Sequence, residues 1–163
     1  MKKNTEILPP SFQEFFEDFC QGRYPFGPYF DHVLEYWKIS VAQPEKVLFL
    51  KYEDLKNDPV KNLKRLAEFI GMSFSSKEET EGVITQIINL CSLKNLKELQ
   101  VNKGGVVIHQ DLDTKFFFRN GQVGDWTNHF TPLMAEKMDM MIQQKFKDTG
   151  LSFDLLPQHR QVT

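Results

Sequence analysis

Between Phe116 and Trp126 the chain reads FFFRNGQVGDW, and it is here that residue types and spacing offer chemistry. Three aromatics end at Arg119, Asn120 follows, and Gly121 and Gly124 stand three apart ahead of an Asp125-Trp126 pair. An apolar run that stops at a cation and a glycine holds positive charge and bare backbone N–H groups at the edge of a core. Glycines lack Cβ, so the chain can take positive φ there and come close to a ligand. Consecutive N–H groups in such a turn form a concavity for an anion, and arginine adds a charge-assisted fork to phosphate oxygens. The same letters also describe a loop pinned by Phe117, Phe118 and Trp126, with Arg119 merely solvated. Spacing alone favours that plainer reading, because two glycines and an arginine are a weak signal.

The 163 residues have the length of one domain, and a hydrophobic share of 40% with fifteen Phe is enough for a core. Lys plus Arg number 20 against 22 Asp plus Glu, a net charge of −2. That balance excludes the basic excess of a nucleic-acid binder, so any anion site must be local. Cys20 and Cys91 have neither metal-type spacing nor the density of a disulfide framework, which fits a reducing, cytosolic compartment. No apolar run reaches membrane-spanning length, the N-terminus carries no signal-type apolar region, and no Asn-x-Ser/Thr sequon occurs.

Residues 1–10 are polar, end in two prolines and read as a flexible lead-in, residues 11–153 as the domain, and residues 154–163 as a tail. Ser11 is placed to cap a short helix with Phe12, Phe15, Phe16 and Phe19 at helical spacing. Gly22, Pro25, Gly27 and Pro28 break the chain before a second helix over about 29–42, with Phe30, Val33, Leu34, Trp37 and Val41 on one face. His32 beside that face reads as a structural residue rather than a catalyst. Val47 to Leu50 form a continuous apolar run, the pattern of a parallel-type strand at about 46–50 buried on both faces. Asp58 and Pro59 then start a helix whose stripe is Val60, Leu63, Leu66, Ala67 and Ile70, ended by Gly71.

Strand, polar turn and helix make half of a doubly wound α/β unit, in which ligands gather at strand carboxyl ends. Tyr52 stands at that end, and taken alone it reads as a surface tyrosine in a turn. Ser76 and Glu79 have capping-box spacing for a helix to about Leu90, with Val83, Ile84, Ile87, Ile88 and Cys91 inward. Lys94, Lys97 and Lys103 read as a solvated basic face. Val101 to Asp113, with Gly104-Gly105, reads as a mobile flap. Thr131 and Pro132 open a last helix, amphipathic through Leu133, Met138, Met141, Ile142 and Phe146 and stopped by Gly150. There is no internal repeat.

RNGQVGDW followed by TNHFTP resembles the C-terminal signature of the cytosolic sulfotransferases, R-K-G-x-x-G-D-W-K-N-x-F-T, especially their plant flavonol and hydroxysteroid branch. Arg119, Gly121, Gly124, Asp125 and Trp126 match; Asn120 stands where the family has Lys, and Thr127 where it usually has a second. VLFLKYEDLKNDP is similar to another family stretch, and CSLKNL to its [TC]-S-F-x-x-[LM], with Leu93 for the usual Phe. The resemblance covers about residues 8–153. It implies the C-terminal part of a P-loop-like α/β fold, mostly helical with one clear parallel-type strand. It also implies 3′-phosphoadenosine 5′-phosphosulfate (PAPS) as co-substrate, PAP as product and no metal.

By the same resemblance Phe118, Arg119, Asn120 and Gly121 belong to the loop on the 3′-phosphate, while Tyr52, Cys91, Ser92 and Leu93 contact the adenine. The flap would border the pocket of a hydroxylated small-molecule acceptor. No nucleic acid or membrane partner is implied, and the compartment is the cytoplasm. A dimer motif of animal members, K-x-x-x-T-V-x-x-x-E, is matched at Thr131 and Glu136 but not at Thr127 or Pro132.

The family's N-terminal half supplies a K-S-G-T-T-W phosphate turn, a catalytic His, and an Arg and Ser on the 3′-phosphate. None of these occurs here, and His32, His109, His129 and His159 do not stand in the catalytic position. No catalytic residue is therefore assigned. The expectation is a sulfotransferase-family chain, truncated and inactive alone; the alternatives are a non-catalytic PAPS/PAP-binding module or an interaction fragment.

Overall fold

The computed structural model describes residues 10–23, 27–103 and 117–153, and these fall in two compact units, one drawn from Met1–Val47 and His129–Thr163, the other from Leu48–Asn128. Residues 1–9, 154–163 and most of the expected flap lie outside the described residues.

The first unit is built from α1 (Phe12–Cys20), α2 (Tyr29–Ala42) and α9 (Pro132–Phe146), the helices numbered in chain order. Ser11 caps α1 in a reciprocal box: the Glu14 N–H donates to its hydroxyl (3.2 Å) and the Ser11 N–H donates to the Glu14 carboxylate (2.8 Å). Thr131 caps α9 by accepting from the Met134 N–H at 3.3 Å, with Pro132 in the first turn, where its missing donor costs nothing. Both α1 and α2 pack on α9.

Their core is Phe16, Phe30, Ala135, Met138, Ile142, Phe146 and Leu151, with Phe16 edge-on to Phe130 (5.2 Å) and Phe30 edge-on to Phe146 (5.9 Å). Each large apolar side chain buried this way is worth about 1.5–3 kcal/mol. The Trp37 indole N–H donates to the Thr149 carbonyl at 2.8 Å, fixing the turn after α9. The ion pairs Lys137–Glu17 and Lys145–Asp31 join the same helices. Their groups are exposed, so each adds about 0–1 kcal/mol at most and burial dominates.

Several residues of the expected apolar faces are exposed in this unit, Phe12 and Phe15 of α1 among them. Val41 is 63% exposed, and Ser40, its hydroxyl donating to the Trp37 carbonyl, is buried in its place. Leu133 is 76% exposed, because it lies two residues, about 200° of helix, from buried Ala135.

The strand expected at about 46–50 is not formed. Residues 47–50 are half-buried and irregular, and no strand occurs among the described residues. An apolar run states a need for cover, but a strand exists only in a ladder. The Val47 N–H is instead bonded to the Gln43 carbonyl in a local turn (3.1 Å). The second unit is accordingly helical as well: α3 (Tyr52–Asn57), α4 (Pro59–Phe69), α5 (Ser76–Thr80), α6 (Val83–Leu90), α7 (Leu93–Glu98), α8 (Gln100–Lys103) and a 3₁₀ turn at Asp125–Asn128.

Asp58 caps α4 as its spacing predicts, accepting from the Lys61 N–H at 3.0 Å. The helix ends where Gly71 N–H bonds the Glu68 carbonyl and Met72 N–H the Ala67 carbonyl. Of the predicted stripe Ala67 is buried, whereas Val60, Leu66 and Ile70 are exposed. Asn62 is buried and donates to the carbonyls of both Asp54 and Asp58 at 2.8 Å, tying α3 to α4. The predicted helix from Ser76 to Leu90 is two helices. Gly82 at φ +73° separates them, and the capping box is Ser75 with Glu78. The sequence SSKEE offers that box in two registers one residue apart, and the structure uses the first, leaving Glu79 to pair with Lys64 of α4.

Candidate functional site

Within the second unit three separated stretches converge on Gly121. Tyr52, first residue of α3, donates its hydroxyl to the Gly121 carbonyl at 2.7 Å. Leu93, first residue of α7, packs against the Gly121 Cα so closely that an added Cβ would sit 2.5 Å from Leu93 Cδ2. Gly121 also has φ +64°, a region costly to any residue with Cβ. Glycine is thus required twice over, by conformation and by contact.

The loop that carries Gly121 is organised by one carboxylate. Asp125 pairs with the Arg119 guanidinium, and it accepts from the amides of Asn120 and, at 3.2 Å, Asn128. Its side chain is only 9% exposed, while that of Arg119 is 63% exposed. Hydrogen bonds from Asn120 and then Arg119, more than outweighing desolvation, hold the Asp125 pKa down to about 2. The 3₁₀ turn closes the loop behind it, the Thr127 N–H and hydroxyl both donating to the Gly124 carbonyl at 3.1 and 2.9 Å. The loop therefore presents a cation paired with a largely covered carboxylate.

Of the residues expected to contact cofactor, Tyr52 and Leu93 each meet Gly121, and Arg119 and Asn120 are joined through Asp125. Ser92 precedes Leu93 and caps α7, its hydroxyl accepting from the Asn95 N–H at 3.2 Å. Cys91 ends α6 and is exposed; Phe118 is half-buried. Phe117, expected to pin the loop, is 70% exposed, so Phe118 and Trp126 are its covered aromatics. The roles of Asp125 and Asn128 escaped the site reading of the sequence. The available signal was a short acid five residues after Asn120 and three before Asn128, spacing that suits a turn-closing carboxylate.

Chemically, the exposed Arg119 guanidinium beside a positive-φ glycine is a place for an anion. Among the described residues no group of three His, Cys, Asp or Glu is placed to hold a metal, and no helix is long and apolar enough to cross a membrane. Thr131 spends its hydroxyl capping α9, and Glu136 is exposed on that helix.

A family model described as the sulfotransferase domain matches residues 1–150. Cytosolic sulfotransferase 6 of Arabidopsis thaliana is 46% identical over 93% of this chain and 46% of its own length. Flavonol 4′-sulfotransferase of Flaveria chlorifolia is 52% identical over 86% of this chain and 44% of its own. A mouse sulfotransferase solved with PAP superposes with a TM-score of 0.69 at 30% identity, covering 86% of this chain and 49% of that one. Retinol dehydratase, solved with androsterone and inactive cofactor PAP, gives 0.71 at 26% identity over 90% and 41%. The chain spans about half the length of the curated relatives it matches.

Proposed function

The chain belongs to the sulfotransferase family, and from that premise we propose that its 118–121 loop, with Tyr52 and residues 91–93, holds the 3′-phosphoadenosine end of PAPS and PAP. The observation that carries this reading is the meeting of Tyr52, Leu93 and Gly121, three expected contacts from three distant stretches. Arg119 and the N–H groups at 120–121 would take the 3′-phosphate, and Tyr52 with residues 91–93 would flank the adenine. Leu93 gives the base an apolar contact without aromatic stacking. PAPS, when bound, supplies an activated sulfuryl group whose acceptor is a hydroxyl of a small molecule. Two relatives and a solved neighbour support that assignment through what their names say they act on or bind. Relatives named cytosolic support a cytoplasmic setting.

Sulfuryl transfer also needs a base for the acceptor hydroxyl and cations on the leaving phosphate. The 163 residues contain neither the K-S-G-T-T-W turn nor a histidine in the catalytic position. We therefore propose that this chain by itself binds PAP without turning PAPS over, a non-catalytic module unless completed by another half. Losing a general base alone removes about 10²–10⁴-fold of rate.

Calorimetric titration separates the possibilities. PAP should bind more tightly than adenosine 5′-phosphate, which lacks only the 3′-phosphate, and Arg119→Ala should shrink that difference. Equal affinity for the two nucleotides would defeat the phosphate-loop reading. Turnover by the purified chain at the rate of a complete relative would defeat the non-catalytic one.

A further inference from the structure

The Arg119 guanidinium is more than half exposed, and a long exposed cation ordinarily samples many rotamers. Here it leans on the carboxylate of Asp125, which lies in the loop interior and is also fixed by the amides of Asn120 and Asn128. Both neighbours of the Gly121 turn on its N-terminal side thus share one anchor. We propose that Asp125 is a positioning residue for phosphate recognition, acting through Arg119 by restricting where its guanidinium can lie beside the Gly121 turn. The role rests on the reading of this loop as the 3′-phosphate site.

Two electrostatic effects of Asp125 oppose each other. Its negative charge repels a phosphate, but the pairing with Arg119 neutralises most of that charge before a ligand arrives. Orientation then prevails, because a fixed guanidinium loses less freedom when it closes on phosphate oxygens. A carboxylate that served only to fold the loop would affect binding whether or not Arg119 were present.

A double-mutant cycle with PAP as ligand makes that distinction. Asp125→Asn, which keeps an acceptor for the two asparagines but drops the charge, should weaken PAP binding by about tenfold in the parent chain. In an Arg119→Ala background the same change should cost less than about twofold, since its effect runs through the missing side chain. Equal losses in both backgrounds, or tighter binding by Asp125→Asn, would overturn the positioning role. If Arg119→Ala weakens binding and Asp125→Asn does not, the role falls while the phosphate-loop reading stands; no PAP binding by the parent chain removes both. Should Asp125→Asn fail to fold, Asp125→Glu carries the test. Retained binding that still depends on Arg119 supports the role, and a loss independent of Arg119 ends it.

Discussion

The Tyr52 hydroxyl and the Gly121 carbonyl oxygen lie 2.7 Å apart although 69 positions of chain separate the two residues. This bond fixes the start of α3 to the loop. Tyr52→Phe removes the donor and leaves the ring. Because the pair is exposed, the loss should be toward the lower end of the usual 0.5–1.5 kcal/mol. Hydrogen exchange should show faster opening of residues 118–124 with α9 unaffected; unchanged loop protection would mean the bond contributes nothing.

Gly121→Ala should be more damaging. The residue has positive φ, and the new methyl would approach Leu93 Cδ2 to 2.5 Å. The backbone term alone is about 1–2 kcal/mol. Combining it with Leu93→Ala should recover the steric part and leave the backbone part, so thermal unfolding of the double variant should fall between parent and Gly121→Ala. A double variant no more stable than the single one would show that the contact with Leu93 is not the source of the damage.

Loop stability should depend on acidity in a definite window. The Asp125 carboxyl is held below its ordinary 3.8, to about 2, so the stabilisation it provides is complete above the unfolded value and disappears as pH falls through the folded one. Protection of the loop should be flat from neutral pH to about 5 and should decline between about 4 and 2. Glu14 and Glu78, lowered by their bonds to Ser11 and Ser75, contribute to the acid response elsewhere. Asp125→Asn should abolish the decline in the loop alone, which residue-resolved exchange can check.

Asn120→Lys exchanges a neutral donor to Asp125 for a cation beside the Gly121 turn. PAP binding should tighten by roughly threefold to tenfold and become more sensitive to salt, as added exposed charge does. Weaker binding would mean that the Asn120–Asp125 bond matters more than charge.

The isolated chain should be helical by circular dichroism yet unfold broadly. Residues 47–50 are only half-buried and form no strand, and many large apolar side chains, Ile70, Leu90 and Leu133 among them, are exposed. With stability margins of only about 5–15 kcal/mol, that missing cover is significant. A sharp, reversible transition of a soluble monomer would contradict this.

What could be read from the letters was what local rules determine. Ser11, Asp58-Pro59 and Thr131-Pro132 announce their helices because a cap is satisfied within three residues. Val47 to Leu50 misled because an apolar run states a need for burial, and only partners elsewhere decide whether a ladder answers it. The division of the 76–90 segment at Gly82 was legible in principle, since a glycine inside a helical pattern often marks a break. At the site, the resemblance drew attention to Arg119 and Gly121. The organising role of Asp125 was not legible, because it depends on three partners that only the folded loop brings to one carboxylate.

Asn62 extends the reach of the site to a place no ligand would touch. Its buried amide holds the carbonyls of Asp54 and Asp58, and α3 is only six residues long, too short to persist unsupported. The Asn62 amide therefore helps to set where α3 begins, and with it where the Tyr52 hydroxyl meets Gly121. Genetic suppressors of defects in the 118–125 loop would then be sought at position 62, where natural variation would tune the loop from behind.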